Sequence, residues 1–203
     1  MEDRDGELLA RWRDGDKAAG NQLFKRHFES IRRFFRSKTT LREAEDLIQR
    51  TFLACVESAS GYRGDGSFRA YLFVIARRQL IDFIHRKTRD QARVEPDLTV
   101  RSMADLGISP SVAAAKLEEH EIIVEAMRRI PVDFQITLEM YYWEQLRGPE
   151  LAEVLGISPA TVRTRLHRAR EAMRTALEKL REGNPGATDV EASVTALGTH
   201  FAS

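Results

Sequence analysis

Apolar residues recur along most of this chain in steps of three and four, the spacing that lines one face of an α-helix. Between Ala44 and Ala59 they fall at Ala44, Leu47, Ile48, Thr51, Phe52, Cys55 and Ala59. A second stripe begins at Phe68 and passes through Tyr71, Leu72, Ile75, Gln79 and Phe83, predicting a long helix to about Lys87. A third passes through Val162, Leu166, Ala169, Met173, Ala176 and Leu180. No stretch alternates as a half-buried strand does. The pattern predicts an all-α fold of two small helical domains, about 7–88 and 117–182, joined by a flexible linker over 89–116. Helix breakers agree with these limits: Gly61, Gly64 and Gly66 in one loop, a zone from Pro96 to Pro110, and Gly183-Asn184-Pro185-Gly186. The tail over 183–203 is expected to fray into disorder, a regulatory appendage being the alternative.

Lys and Arg number 32 against 31 Asp and Glu in 203 residues, which excludes a uniformly basic nucleic-acid binder. The charge is sorted by segment, however. From Tyr62 to Arg93 eight basic residues face three acids, and from Pro159 to Glu182 seven face three. The connector from Val94 to Glu125 reverses the balance, with two basic residues against seven acids. Two basic surfaces separated by an acidic connector suit one polyanion gripped at two places. The single cysteine, Cys55, excludes an intramolecular disulfide and a Cys-rich zinc site. No window reaches the ~18 apolar residues of a membrane span, and the acidic start Met1-Glu2-Asp3-Arg4-Asp5 does not resemble a secretory signal. The expectation is a cytoplasmic protein without metal or cofactor.

The segment Pro149 to Val162 is the most specific in the chain. Pro149 suits a first helical turn and Ala152 lets a second helix cross closely. Gly156 permits a left-handed turn, and Ile157 plugs the space beneath it. Ser158 followed by Pro159 is an N-cap and a first residue, and Val162 anchors the second helix. Ala152, Gly156 and Val162 give the small, Gly, branched signature of a DNA-binding helix-turn-helix. Off its buried stripe the second helix carries Thr161, Arg163, Thr164, Arg165, His167 and Arg168. These are residue types that read base edges in a major groove.

In the N-terminal half, the helix at 44–59 presents Asp46, Gln49, Arg50 and Leu53 away from its core stripe, an acid–amide–Leu face that suits a protein contact. The glycine-rich loop beside Tyr62 and Arg63, then Phe68, Arg77, Arg78, Arg86 and Lys87, interleaves aromatics with cations, as single-stranded DNA binders do. At helical spacing, the core is the expected place of the Phe68 and Tyr71 side chains, against a role at the DNA.

At these residues the chain resembles the extracytoplasmic-function (ECF) subgroup of sigma-70 family sigma factors. Glu45 to Phe52 resembles the polymerase-clamp helix, Phe68 to Arg77 the aromatic melting helix, and Leu151 to Leu177 the promoter-reading domain. The resemblance implies partners: core RNA polymerase, through its β′ clamp and β flap, and promoter DNA, with an anti-sigma factor as an open possibility. It implies that Asp46, Gln49, Arg50 and Leu53 dock on polymerase. Tyr62, Arg63, Phe68, Arg77, Arg78, Arg86 and Lys87 would meet the −10 element, and Thr161, Arg163, Thr164, His167 and Arg168 the −35 element. No catalytic residues transfer, because polymerase does the chemistry. The chain departs from the family's pattern at Arg50, where an acid is usual, at Arg78, where Asn is common, and at Arg147-Gly148-Pro149, which opens the helix-turn-helix.

A transcriptional repressor or activator with an N-terminal sensor or dimerisation domain would share the helix-turn-helix. It would not need the Asp46 to Leu53 face or the Tyr62 to Lys87 stretch. An α-helical enzyme fits less well: His27, His85 and His120 are scattered, and Asp82 with His85 is one weak pair.

Overall fold

The computed structural model describes residues 3–58, 66–89, 97–108, 118–181 and 189–202. Regular structure among them is helical: α1 (Asp3–Arg13), α2 (Lys17–Arg36), α3 (Leu41–Ser58), α4 (Phe68–Thr88), α5 (Glu118–Arg129), α6 (Val132–Tyr142), α7 (Gly148–Leu155), α8 (Pro159–Leu180) and α9 (Val190–Ala202). Tyr62 and Arg63 lie outside the described residues.

Local chemistry starts these helices. The Asp16 carboxylate accepts from the Ala18 and Ala19 amides at the head of α2, and the Ser67 hydroxyl accepts from Ala70 at the head of α4. In α3 the predicted stripe is the core face, with Ala44, Leu47, Ile48, Thr51 and Cys55 buried. Burial pushes the Cys55 thiol up to about 12, so it stays protonated and unreactive. Between α1 and α2, a ring nitrogen of the buried His27 lies 2.7 Å from the Asp5 carboxylate. Burial lowers the His27 pKa from its ordinary value, and the Asp5 charge partly opposes this.

The stripe predicted for α4 needs correction. Phe68, Ala70, Leu72, Phe73, Ala76, Leu80 and Ile84 are buried, whereas Tyr71, Ile75, Gln79 and Phe83 are only half-buried. The reason is position. α4 packs against α3 on one side and α7 on the other, so it needs two apolar faces where a surface helix needs one.

That contact also joins the lobes. α1–α4 and α5–α9 pack directly on each other through α4 against α7 and α2 against α9. Lys38, two residues past α2, is fully buried and ion-pairs with the equally buried Glu139 of α6. The Lys38 ammonium also donates to the Phe34 carbonyl at 2.8 Å and the Ser37 hydroxyl at 2.9 Å. Glu139 accepts further from Ser37 at 3.0 Å and Gln135 at 3.1 Å. Burial pushes the Lys38 pKa down and the Glu139 pKa up, while their mutual attraction opposes both shifts. Glu144, just past α6 and 1% exposed, takes Arg33 of α2 and Arg69 of α4.

Residues 97–108 of the connector are seated on the C-terminal lobe. The Val132 amide donates to the Arg101 carbonyl at 3.0 Å and the Asp133 amide to the Leu98 carbonyl at 3.1 Å, while Leu98, Met103, Leu106 and Ile108 are buried. The expectation of a fraying tail fails over 190–202. Val190, Val194 and Leu197, spaced four and three apart, bury against α5, α6 and α8. The Trp143 indole N–H donates to the Val194 carbonyl at 2.7 Å. Gly198 makes this fit possible: a Cβ there would stand 2.5 Å from the Trp143 ring.

Candidate nucleic-acid interface

The helix-turn-helix is built as its residues predict. Gly156 closes α7 in the left-handed region, at φ 65° and ψ 36°. Ser158 then starts α8, its hydroxyl accepting from the Thr161 amide at 3.3 Å. Val162, Leu166, Ala169, Met173, Ala176 and Leu177 form the buried side of α8. This side is fixed by the core, so the opposite one is fixed too: Thr161, Arg163, Thr164, His167 and Arg168 are all exposed together. Arg165 is not among them. Its guanidinium meets Asp133 at 3.0 Å with 17% of the side chain exposed, which removes it from the groove-reading residues with which the sequence grouped it.

The −10 candidates divide. Arg78, Arg86 and Lys87 are exposed on α4. Lys87 bonds Glu43 at 2.6 Å and lies over the Phe83 ring at 5.4 Å. Phe68 is 3% exposed and packs beside His27 and Tyr71, so its ring belongs to the core and is not available to a base. Arg77 is turned into the junction of the lobes, where it bonds Asp133 at 3.0 Å and is 20% exposed. The cause is α7 and α6 lying across that side of α4, which periodicity cannot reveal. A cleft of about 830 Å³ opens beside Phe68, bordered by Arg13, Arg26, His27, Ser67 and Arg69.

On α3, Asp46, Gln49, Arg50 and Leu53 are exposed along one side, with Leu53 58% exposed. Val56, one turn further, and Phe28 of α2 are exposed as well. Arg50, the residue that stands in place of an acid, bonds Asp46 at 2.9 Å across one turn. An exposed helix pair of this kind is weak and readily exchanged for a partner's charge. The carboxylates Asp133, Glu139 and Glu144 were not singled out from the sequence. Each lies within an otherwise apolar stretch, and buried acids there require partners.

Residues 23–90 match the family described as Sigma-70 region 2, and residues 120–173 match Sigma-70, region 4. The chain is 30% identical over 153 residues to the ECF RNA polymerase sigma factor SigW of Bacillus subtilis, covering 72% of this chain and 81% of SigW. It belongs to the ECF group of the sigma-70 family. A probable RNA polymerase sigma factor of Xanthomonas campestris, RfaY, is 33% identical over 138 residues, 66% of this chain, and the chain spans 34% of RfaY's length. The fold resembles the sigma factor RpoE of Bartonella quintana, solved with the anti-sigma factor NepR, at TM-score 0.59 and 19% identity over 81% of this chain and 98% of that one. This ECF sigma factor is therefore a transcription initiation factor, with core RNA polymerase and promoter DNA as partners. Among the described residues, no helix is long and apolar enough to cross a membrane.

Proposed function

We propose that this sigma factor divides its work between three surfaces. The α3 side with Asp46, Gln49, Arg50 and Leu53 docks on the β′ clamp. Exposed Arg78, Arg86 and Lys87 of α4, with Tyr62 and Arg63 ahead of it, meet the −10 strand. Thr161, Arg163, Thr164, His167 and Arg168 read the −35 duplex. The domain limits follow: 7–88 for polymerase and −10 binding, 117–182 for −35 binding and the β flap. The chain supplies binding and positioning in the cytoplasm and leaves bond chemistry to polymerase. RpoE's complex with NepR supports an anti-sigma factor as a further partner.

The observation that carries this reading is the exposed polar side of α8 immediately after the Ser158 cap. All five −35 candidates share it, and none is held by an ion pair to another of the described residues. That is the geometry of a helix entering a major groove N-terminus first. The polymerase surface is tested by changing Asp46→Ala together with Gln49→Ala. Core binding should weaken with helix content unchanged, and pull-down of core at the wild-type level would refute the assignment.

A further inference from the structure

Asp133 stands in the first turn of α6 and is 7% exposed. Its two oxygens are taken by arginines from two different helices. Arg77 of α4 bonds one at 3.0 Å, and Arg165 of α8 bonds the other at 3.0 Å. These are the helices assigned above to the −10 strand and the −35 duplex. We propose that Asp133 is an internal competitor for promoter phosphate, locking the free chain closed by holding one cation from each DNA-reading helix. The proposal rests on the division of labour just described.

Size supports the lock. A compact chain of this length has a radius of gyration of about 17 Å, hence a diameter of roughly 45 Å. Elements centred at −10 and −35 lie about 85 Å apart along B-DNA at ~3.4 Å per base pair. The closed form cannot span both, so the lobes must part. The junction carries ion pairs beside an apolar seam, in which buried residues of α4 and α7 belong to one cluster. When the lobes separate, Asp133 parts from Arg77, Glu139 from Lys38 and Glu144 from Arg33 and Arg69, so these groups regain water and Arg77 gains a phosphate, while Arg165 stays beside Asp133 in its own lobe.

The test uses the full-length chain without polymerase and two probes of random sequence, a short single strand and a short duplex. Asp133→Asn should bind both roughly tenfold more tightly at low salt, with a log–log salt slope steeper by about 0.7 for the strand and about 0.9 for the duplex as each gains one freed arginine. Glu178→Gln removes the same charge from an exposed site on α8 and should change affinity less than about twofold. Asp133→Asn also unseats Arg165 within its own lobe, so Glu144→Gln serves as a second variant. It loosens Arg33 and Arg69 but keeps Asp133 with Arg165, and it should also tighten binding. Spin labels at Lys25→Cys on α2 and Glu178→Cys on α8 should move apart in both variants. Wild-type affinity and distance in folded variants, or an equal gain in Glu178→Gln, would overturn the lock. If the wild-type chain fails to form holoenzyme, the division of labour fails. The label distance needs no DNA and still decides whether Asp133 holds the lobes together.

Discussion

Replacing Lys38 by Met leaves the Glu139 carboxylate buried without its cation. Both side chains are 0% exposed, so no water can take the partner's place. Breaking a buried pair from one side costs about 3–5 kcal/mol. With an unfolding entropy of about 2.1 cal/mol/K per residue, a chain of this length loses roughly 2 °C of Tm per kcal/mol, so Tm should fall by about 7–12 °C. The loss should also depend on pH. Burial raises the folded-state pKa of Glu139, and without Lys38 nothing comparable opposes that rise. The folded state then binds more protons than the unfolded one above the ordinary glutamate value, so Lys38→Met should be less stable at pH 8 than at pH 5. Changing Lys38→Met and Glu139→Leu together removes both charges. Ser37 keeps its bond to the Phe34 carbonyl at 3.0 Å, and only the Gln135 amide loses an acceptor. The double variant should lose less than about 3 kcal/mol, leaving a coupling of at least about 3 kcal/mol in the cycle. Thermal and denaturant melts followed by circular dichroism read all four corners. Additive losses would show that the two charges do not act as a pair, and would remove the electrostatic account of lobe closure.

Arg163→Ala should cost about 1–3 kcal/mol of −35 binding and relax preference at one position, whereas Lys179→Ala should weaken all sequences evenly. Holoenzyme binding to single-base −35 variants separates these, and a changed base preference in Lys179→Ala would contradict the placement of α8. His27 has a folded-state pKa lowered by burial, so its neutral form contributes stability that is complete above the ordinary histidine value and is lost as pH falls below it. Melts between pH 7 and pH 5 should show this loss, and His27→Gln should flatten it.

Sequence alone determined the parts whose cause is local. The Gly156 turn, the Ser158 cap and the single buried stripe of α8 each follow from a few neighbouring residues, so the exposed reading side of that helix was legible. The α3 side with Leu53 was legible for the same reason. α9 could have been read from Val190, Val194 and Leu197, but the nearby Asn184-Pro185-Gly186 breaker obscured it. Tertiary structure alone decided what depends on distant partners. Arg77 became an ion-pair partner because α6 brings Asp133 beside it. The buried acids Asp133, Glu139 and Glu144 find their cations 32 to 111 residues away. Periodicity reports which side of a helix is apolar; it carries no information about which charge a second lobe will set against the first.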